Sequence, residues 1–167
     1  IVIGSVLFRL VLVFSWPIQE IDIYRYLWDG EVAARGISPF RYSPQQVLDA
    51  VSDDVLPDDL RRLVELRHSS PEVATILNRV HYEELPTIYP PVSQAVFAFC
   101  STLTPPGTTV FWRLAIVKAC FVAFDLGTLA VVIGLLRLAG RHVGWSAAYG
   151  WCPLVVKETA NSGHLDA

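Results

Sequence analysis

Apolar residues fall in four runs separated by one long polar stretch. Residues 1–16 carry a single charge, Arg9, and are closed by Pro17; residues 88–103 follow the rigid step Tyr89-Pro90-Pro91. Residues 110–138 have an 18-residue centre, Ala119 to Leu136, broken only by Asp125, and residues 143–156 contain a Cys152-Pro153 step. A helix needs about 20 apolar residues to cross the hydrocarbon core of a bilayer. The third run predicts such a helix, and the first suits the last part of another. The second, at about 24 Å if helical, is short for a crossing. The fourth reads as either a short helix or a re-entrant one. The expected fold is therefore all-α, a polytopic transmembrane bundle with 3–4 membrane segments.

The polar stretch, residues 20–88, predicts short amphipathic helices. Ser43-Pro44-Gln45-Gln46 offers a cap, a proline at the first helical position and a capping-box glutamine, and Ser70-Pro71-Glu72 repeats the start signal. Val73, Ile76, Leu77 and Val80 then form one apolar stripe of a 3.6-residue period, and Leu60, Leu63 and Val64 form another behind Pro57. Helices too short to span, with one apolar face, are expected to lie at the membrane surface.

Composition sharpens this picture. The chain has 167 residues, 53% hydrophobic and 17% charged, against about 25% charged in an average soluble domain. Residues 20–88 hold 13 acids against seven arginines, a net charge of −6, and the remainder carries +3. With a net charge of −3 and no basic stripe, a nucleic-acid partner is excluded. Cys100, Cys120 and Cys152 lie in apolar runs and are odd in number, which argues for reduced, buried residues rather than a disulfide scaffold. The absence of Met, the opening inside an apolar run and the ending at Gly163-His164-Leu165-Asp166-Ala167 suggest the N-terminal part of a longer membrane domain. The positive-inside rule puts Arg137 to Arg141 in the cytoplasm. Two full crossings after the acidic stretch would, however, place that turn on the same side as the stretch itself.

The densest polar constellation is Glu20-Ile21-Asp22-Ile23-Tyr24-Arg25-Tyr26-Leu27-Trp28-Asp29. Aromatic surroundings raise a carboxylate's pKa and a nearby arginine lowers it, so Asp22 is a candidate base for a hydroxyl proton. The competing reading is an interfacial aromatic belt, with Trp16, Tyr24, Tyr26 and Trp28 at headgroup level and the charges solvated. A second constellation, Lys157-Glu158 with His164 and Asp166, sits at the membrane edge, where ionisable residues suggest function. A metal held by Asp22, His164 and Asp166 is allowed, but the spacing is neither a zinc nor an EF-hand pattern. Lys118 and Asp125 share a helical face two turns apart, as helix-pairing residues or as the lining of a transport path. His81 and Tyr89 flank the start of the second apolar run.

Four blocks stand in order: DIYRYLWDG (Asp22–Gly30), GISPFRYSP (Gly36–Pro44), ELPTIYPPVSQ (Glu84–Gln94) and WCPLVVKETANSGHLDA (Trp151–Ala167). Together they resemble bacterial polytopic glycosyltransferases of the GT-C superfamily, in particular polyprenyl-phosphate-mannose-dependent alpha-mannosyltransferases. The likeness extends more distantly to the first mannosyltransferase of GPI-anchor synthesis. Relatives often show paired acids where this chain has Ile21-Asp22, and Asn-Pro where it has Cys152-Pro153. The resemblance implies a helical membrane bundle with a large extracytoplasmic loop carrying the catalytic acid, at Asp22. It implies a polyprenyl-phosphate sugar donor, a glycolipid or cell-envelope glycan acceptor, contact with membrane lipid, and a bacterial plasma membrane. Glu20, Tyr24, Arg25, Asp29, His81, Tyr89, Lys157, Glu158, His164 and Asp166 would bind substrate, with Arg25, Lys157 or His164 facing the lipid phosphate. No cofactor is required on this reading, and a divalent metal is left open. The rival from another class is a transporter or flippase using Asp125, Lys118 and Glu158.

Overall fold

The computed structural model describes residues 1–18, 22–51 and 55–164. It is helical throughout the described residues, with no strand. The helices are α1 (Val2–Val13), α2 (Ile23–Ala34), α3 (Pro44–Asp49), α4 (Asp58–His68), α5 (Pro71–Leu77), α6 (Pro91–Thr102), α7 (Val110–Leu138), α8 (Ala147–Gly150) and α9 (Pro153–Val156). A 3-10 turn, Val143–Ser146, precedes α8, and a π-helix, Lys157–Ser162, follows α9. The chain divides into two compact units, residues 21–114 and the combination of residues 1–20 with 115–167.

In the first of these units the predicted start signals are realised. Ser43 accepts from the Gln46 N–H while the Gln46 side chain accepts from the Ser43 N–H, a complete capping box. Ser70 accepts from the Val73 N–H at the start of α5. The apolar stripes are buried, at Leu63 and Val64 of α4, at Val73, Ile76 and Leu77 of α5, and at Val80 just beyond it. These faces pack against neighbouring helices, α3 on α4, α4 on α5 and α5 on α2. The expectation that they lie on a membrane surface is corrected accordingly: the stripes complete one another's core.

α2 is the axis of this unit, and Ile23 through Val32 are all buried. It packs chiefly on α6, where Gly30 makes the approach possible. A Cβ at Gly30 would lie 2.5 Å from the Phe97 carbonyl oxygen, so no larger residue fits unless α6 moves. The aromatic-belt reading fails here for a physical reason. Tyr24, Tyr26 and Trp28 are core side chains, Arg25 and Asp29 are buried with them, and only Trp16 of the expected belt is exposed.

Among the described residues one helix, α7, is long and apolar enough to cross a membrane. Its 29 residues rise about 44 Å, and only 22% of its most apolar 18 residues are buried. The expected 3–4 spanning segments are thereby reduced. α1 and α6 have 12 residues each, and residues 143–156 break into the 3-10 turn, α8 and α9. The break at Cys152-Pro153 falls where the proline predicts it, since α9 begins at Pro153.

In the other unit, α1, α7 from Ala115 onward and the C-terminal helices share a small core of Val13, Ala115, Val122 and Ala160. Arg9, fully buried, pairs with Asp125 and donates to the Ser5 and Gly150 carbonyls. Tyr149 donates to the other Asp125 oxygen at 2.6 Å. The Lys118 ammonium donates to the Leu12 and Ser15 carbonyls at 3.1 and 2.6 Å, satisfying the carboxyl end of α1. None of the three cysteines is in a disulfide; Cys100 is buried as expected, whereas Cys120 and Cys152 are half-buried.

Candidate functional site

A helix buried on every side must pair each polar group it carries, because an unpaired one is costly. α2 does so. Arg25 donates to the carbonyls of His81, Tyr82 and Leu85 at 3.0, 2.7 and 3.1 Å. Tyr82 adopts a left-handed φ of 53°, and this turn accompanies the convergence of two successive carbonyls on the guanidinium. The guanidinium thus fastens the loop of residues 81–89 onto α2. Burial pulls the Arg25 pKa down from its ordinary value, opposed by the charges of Asp29, Tyr89, Asp22 and Glu84. The Tyr24 hydroxyl accepts from Arg79 at 2.7 Å, and that guanidinium also lies over the Tyr24 ring. Glu31 pairs with Arg35 and Arg113.

Asp22 stands at the start of α2. It makes no side-chain cap bond, and its half-buried carboxylate accepts from the Tyr89 hydroxyl at 3.4 Å. The Tyr89 ring is fixed edge-on to Tyr26 and Phe97, whose own rings stack at 4.6 Å. One loop therefore carries Tyr89 to Asp22 at one end and is riveted by Arg25 at the other. A partly accessible carboxylate with a phenol held beside it suits a group that takes a proton from a hydroxyl.

Two turns further along α2 lies a second acid in a different environment. Asp29 is 2% exposed and accepts from Gln94 Nε2 at 3.1 Å. Thr87 bonds the same carboxylate, and its oxygen accepts from Gln94 at 2.8 Å and from the Tyr89 N–H at 3.3 Å. Burial raises the Asp29 pKa to about 6, although Thr87, Gln94 and Arg25 each pull it back. The Gln94 Oε1 is buried with no hydrogen-bond partner.

The C-terminal constellation lies in the other unit. The π-helix Lys157–Ser162 ends at Gly163, whose φ of 65° needs a residue without a Cβ. Lys157 pairs with Glu158 at 2.7 Å, and His164 Nδ1 lies 3.8 Å from the other Glu158 oxygen. The turn between them is closed by the His164 N–H donating to the Glu158 carbonyl at 2.9 Å. Extra-wide helical turns of this kind concentrate at functional sites. Asn161 is committed elsewhere, donating to Ser15 Oγ and the Trp16 carbonyl and accepting from the Ile18 N–H.

Of the residues singled out from sequence, Asp22, Tyr24, Arg25, Asp29, His81 and Tyr89 fall in one unit, and Lys157, Glu158 and His164 in the other. Glu20 and Asp166 lie outside the described residues. His81 contributes its carbonyl, and its exposed ring lies near Tyr82. Among the described residues no group of three or more His, Cys, Asp or Glu side chains is arranged to hold a metal ion. Thr87 and Gln94 were not singled out, and Tyr26 only as a belt aromatic. They stand in the quoted blocks, but nothing in their spacing, seven residues between Thr87 and Gln94 and across a proline pair, announces a shared carboxylate. No family model matches this chain, and neither a curated protein nor a solved structure matches it.

Proposed function

We propose that this chain belongs to an integral membrane hexosyltransferase. It moves a sugar, mannose in the first instance, from a polyprenyl-phosphate donor to a glycolipid or cell-envelope glycan. Asp22 is the general base. The observation that carries this reading is its placement: a half-buried carboxylate 3.4 Å from the Tyr89 hydroxyl, on a loop held by Arg25. In the reaction the acceptor oxygen bonds to the sugar's anomeric carbon as the bond from that carbon to the lipid phosphate breaks. The acceptor proton passes to Asp22, and polyprenyl phosphate leaves with the electron pair. Such a single displacement needs no covalent intermediate. The donors of Arg25 go to backbone carbonyls, so another cation meets the leaving phosphate in this scheme.

The membrane part of the proposal rests on α7 alone. Phe124, Val131 and Leu135 along it are about 60% exposed, as lipid-facing side chains are. With α7 as the crossing, Arg137 and Arg141 lie on the cytoplasmic side and the acidic stretch outside. The three charged residues proposed for a transport path are already engaged, Asp125 by Arg9 and Tyr149, Lys118 by two carbonyls and Glu158 by Lys157. That favours the transferase.

The test is transfer of radiolabelled mannose from polyprenyl-phosphate mannose by the full-length protein in native membranes, wild type against Asp22→Asn at matched abundance. Losing a general base is expected to cost about 10²–10⁴-fold in rate. Undiminished transfer by the variant refutes the assignment, and no transfer by wild type from any lipid-linked donor refutes the enzyme.

A further inference from the structure

A concavity opens in the acidic unit, lined by residues other than Asp22 and Tyr89. It is a cleft of about 430 Å³ lined by Arg41, Gln45, Gln46, Asp49, Glu84 and Pro86. That volume lies within the ~300–1,000 Å³ range of small-molecule sites. Its walls come from two segments, the turn leading through α3 and the loop of residues 81–89, and both are fixed. The Gln45 N–H donates to the Glu83 carbonyl at 2.8 Å, and the Thr87 N–H to the Pro39 carbonyl at 3.4 Å. The capping box holds Gln46 by its Oε1, which leaves the two amide N–H donors for other partners.

We infer that this cleft binds a neutral, hydroxyl-rich ligand, a sugar unit of the acceptor. The lining chemistry is that of a polyol site: carboxylate acceptors at Asp49 and Glu84, amides at Gln45 and Gln46, and a guanidinium at Arg41. Charge decides between ligand classes. Two carboxylates against one guanidinium make the lining net negative, and Arg41 is further neutralised by Asp59. Phosphates and anionic headgroups are repelled. A divalent ion lacks a sufficient ligand set, since no three acidic, His or Cys side chains converge here or elsewhere among the described residues. Hydroxyls, by contrast, donate to carboxylates and accept from amides and guanidinium at once. The loop of residues 81–89 links the two places, with Glu84 in the cleft and Tyr89 against Asp22. Naming the ligand as acceptor rests on the transferase reading; the polyol chemistry of the cleft does not.

The probe is methyl α-mannoside, followed by a mannobioside, titrated against the ¹⁵N-labelled full chain in lipid nanodiscs. The readout is the side-chain amide signals of Gln45 and Gln46, assigned by substitution. Both are expected to move saturably, and Asp49→Asn with Glu84→Gln to weaken binding about tenfold or more, the loss of charge-assisted bonds. In the transfer assay the same surface variant raises KM for acceptor and spares kcat. Silent Gln45 and Gln46 signals, equal affinity in the double variant, or the same shifts from inorganic phosphate or Ca²⁺ overturn the cleft assignment. Shifts in a chain that transfers no sugar keep the cleft and remove the enzyme; transfer that needs Asp22 with silent amides does the reverse.

Discussion

Asp29 offers the most direct check on the electrostatics of the acidic unit. Its pKa is raised to about 6 by burial, against about 3.9 in an unfolded chain. Between those values the folded protein holds a proton that the unfolded chain has released. The stability this contributes is complete below about pH 4 and is lost as pH rises through about 6. At about 1.4 kcal/mol for each unit of pKa, the change between pH 4 and 7.5 is about 2–3 kcal/mol. For a chain of this length that corresponds to about 4–12 °C in the unfolding midpoint. Asp29→Asn removes the titration and supplies an N–H beside Gln94, whose buried Oε1 has no partner. The variant is expected to lose that portion of the pH dependence and to exceed wild type in midpoint at pH 7.5. The assay is thermal unfolding of both proteins in the same nanodiscs at pH 4, 6 and 7.5, followed by tryptophan fluorescence, with Trp28 one residue away. Parallel losses in wild type and variant over that range would refute the idea that Asp29 carries a buried charge.

Two further perturbations test the packing. Gly30→Ala drives a Cβ to within 2.5 Å of the Phe97 carbonyl oxygen, so it is expected to cost about 1–3 kcal/mol or more; Gly127→Ala, with nothing within 4 Å, is the tolerated control, both read from thermal midpoints. In the other unit, Arg9→Met or Asp125→Asn alone strands a buried partner and is expected to cost about 3–5 kcal/mol, whereas Arg9→Met with Asp125→Leu recovers most of it. A double-mutant cycle with additive losses would show that the pair is not coupled.

How far the sequence can be read depends on the range over which each signal acts. The caps at Ser43 and Ser70 and the break at Pro153 were legible because they are local: a hydroxyl three residues from an N–H, or a missing donor, acts without the rest of the fold. The burial of α2 was not, since a helix carrying Tyr24, Arg25, Tyr26, Trp28 and Asp29 matches an interfacial belt equally well. What distinguishes core from belt is the set of partners, and these come from 55 to 65 residues away, at Arg79, His81, Tyr82, Leu85 and Gln94. Asp22 was legible as a candidate base from its place and neighbours, but the phenol beside it was not, because Tyr89 reads alone as the rigid start of an apolar run.

The topological conflict shows the same limit. Hydropathy along residues 88–103 counts apolar residues without knowing what covers them, so a crossing between the acidic stretch and α7, though short, was left open. In the structure Phe97 stacks on Tyr26 and its carbonyl lies against Gly30, which turns the apolar face of α6 toward α2 within one unit. Twelve residues rise only about 18 Å, too little to cross and already spoken for by α2. With α6 removed from the count, α7 is the one described helix long and apolar enough to lie between the acidic stretch and Arg137 and Arg141 as a crossing. On the proposed reading, with α7 as the one crossing, the charge rule and the helix count then agree.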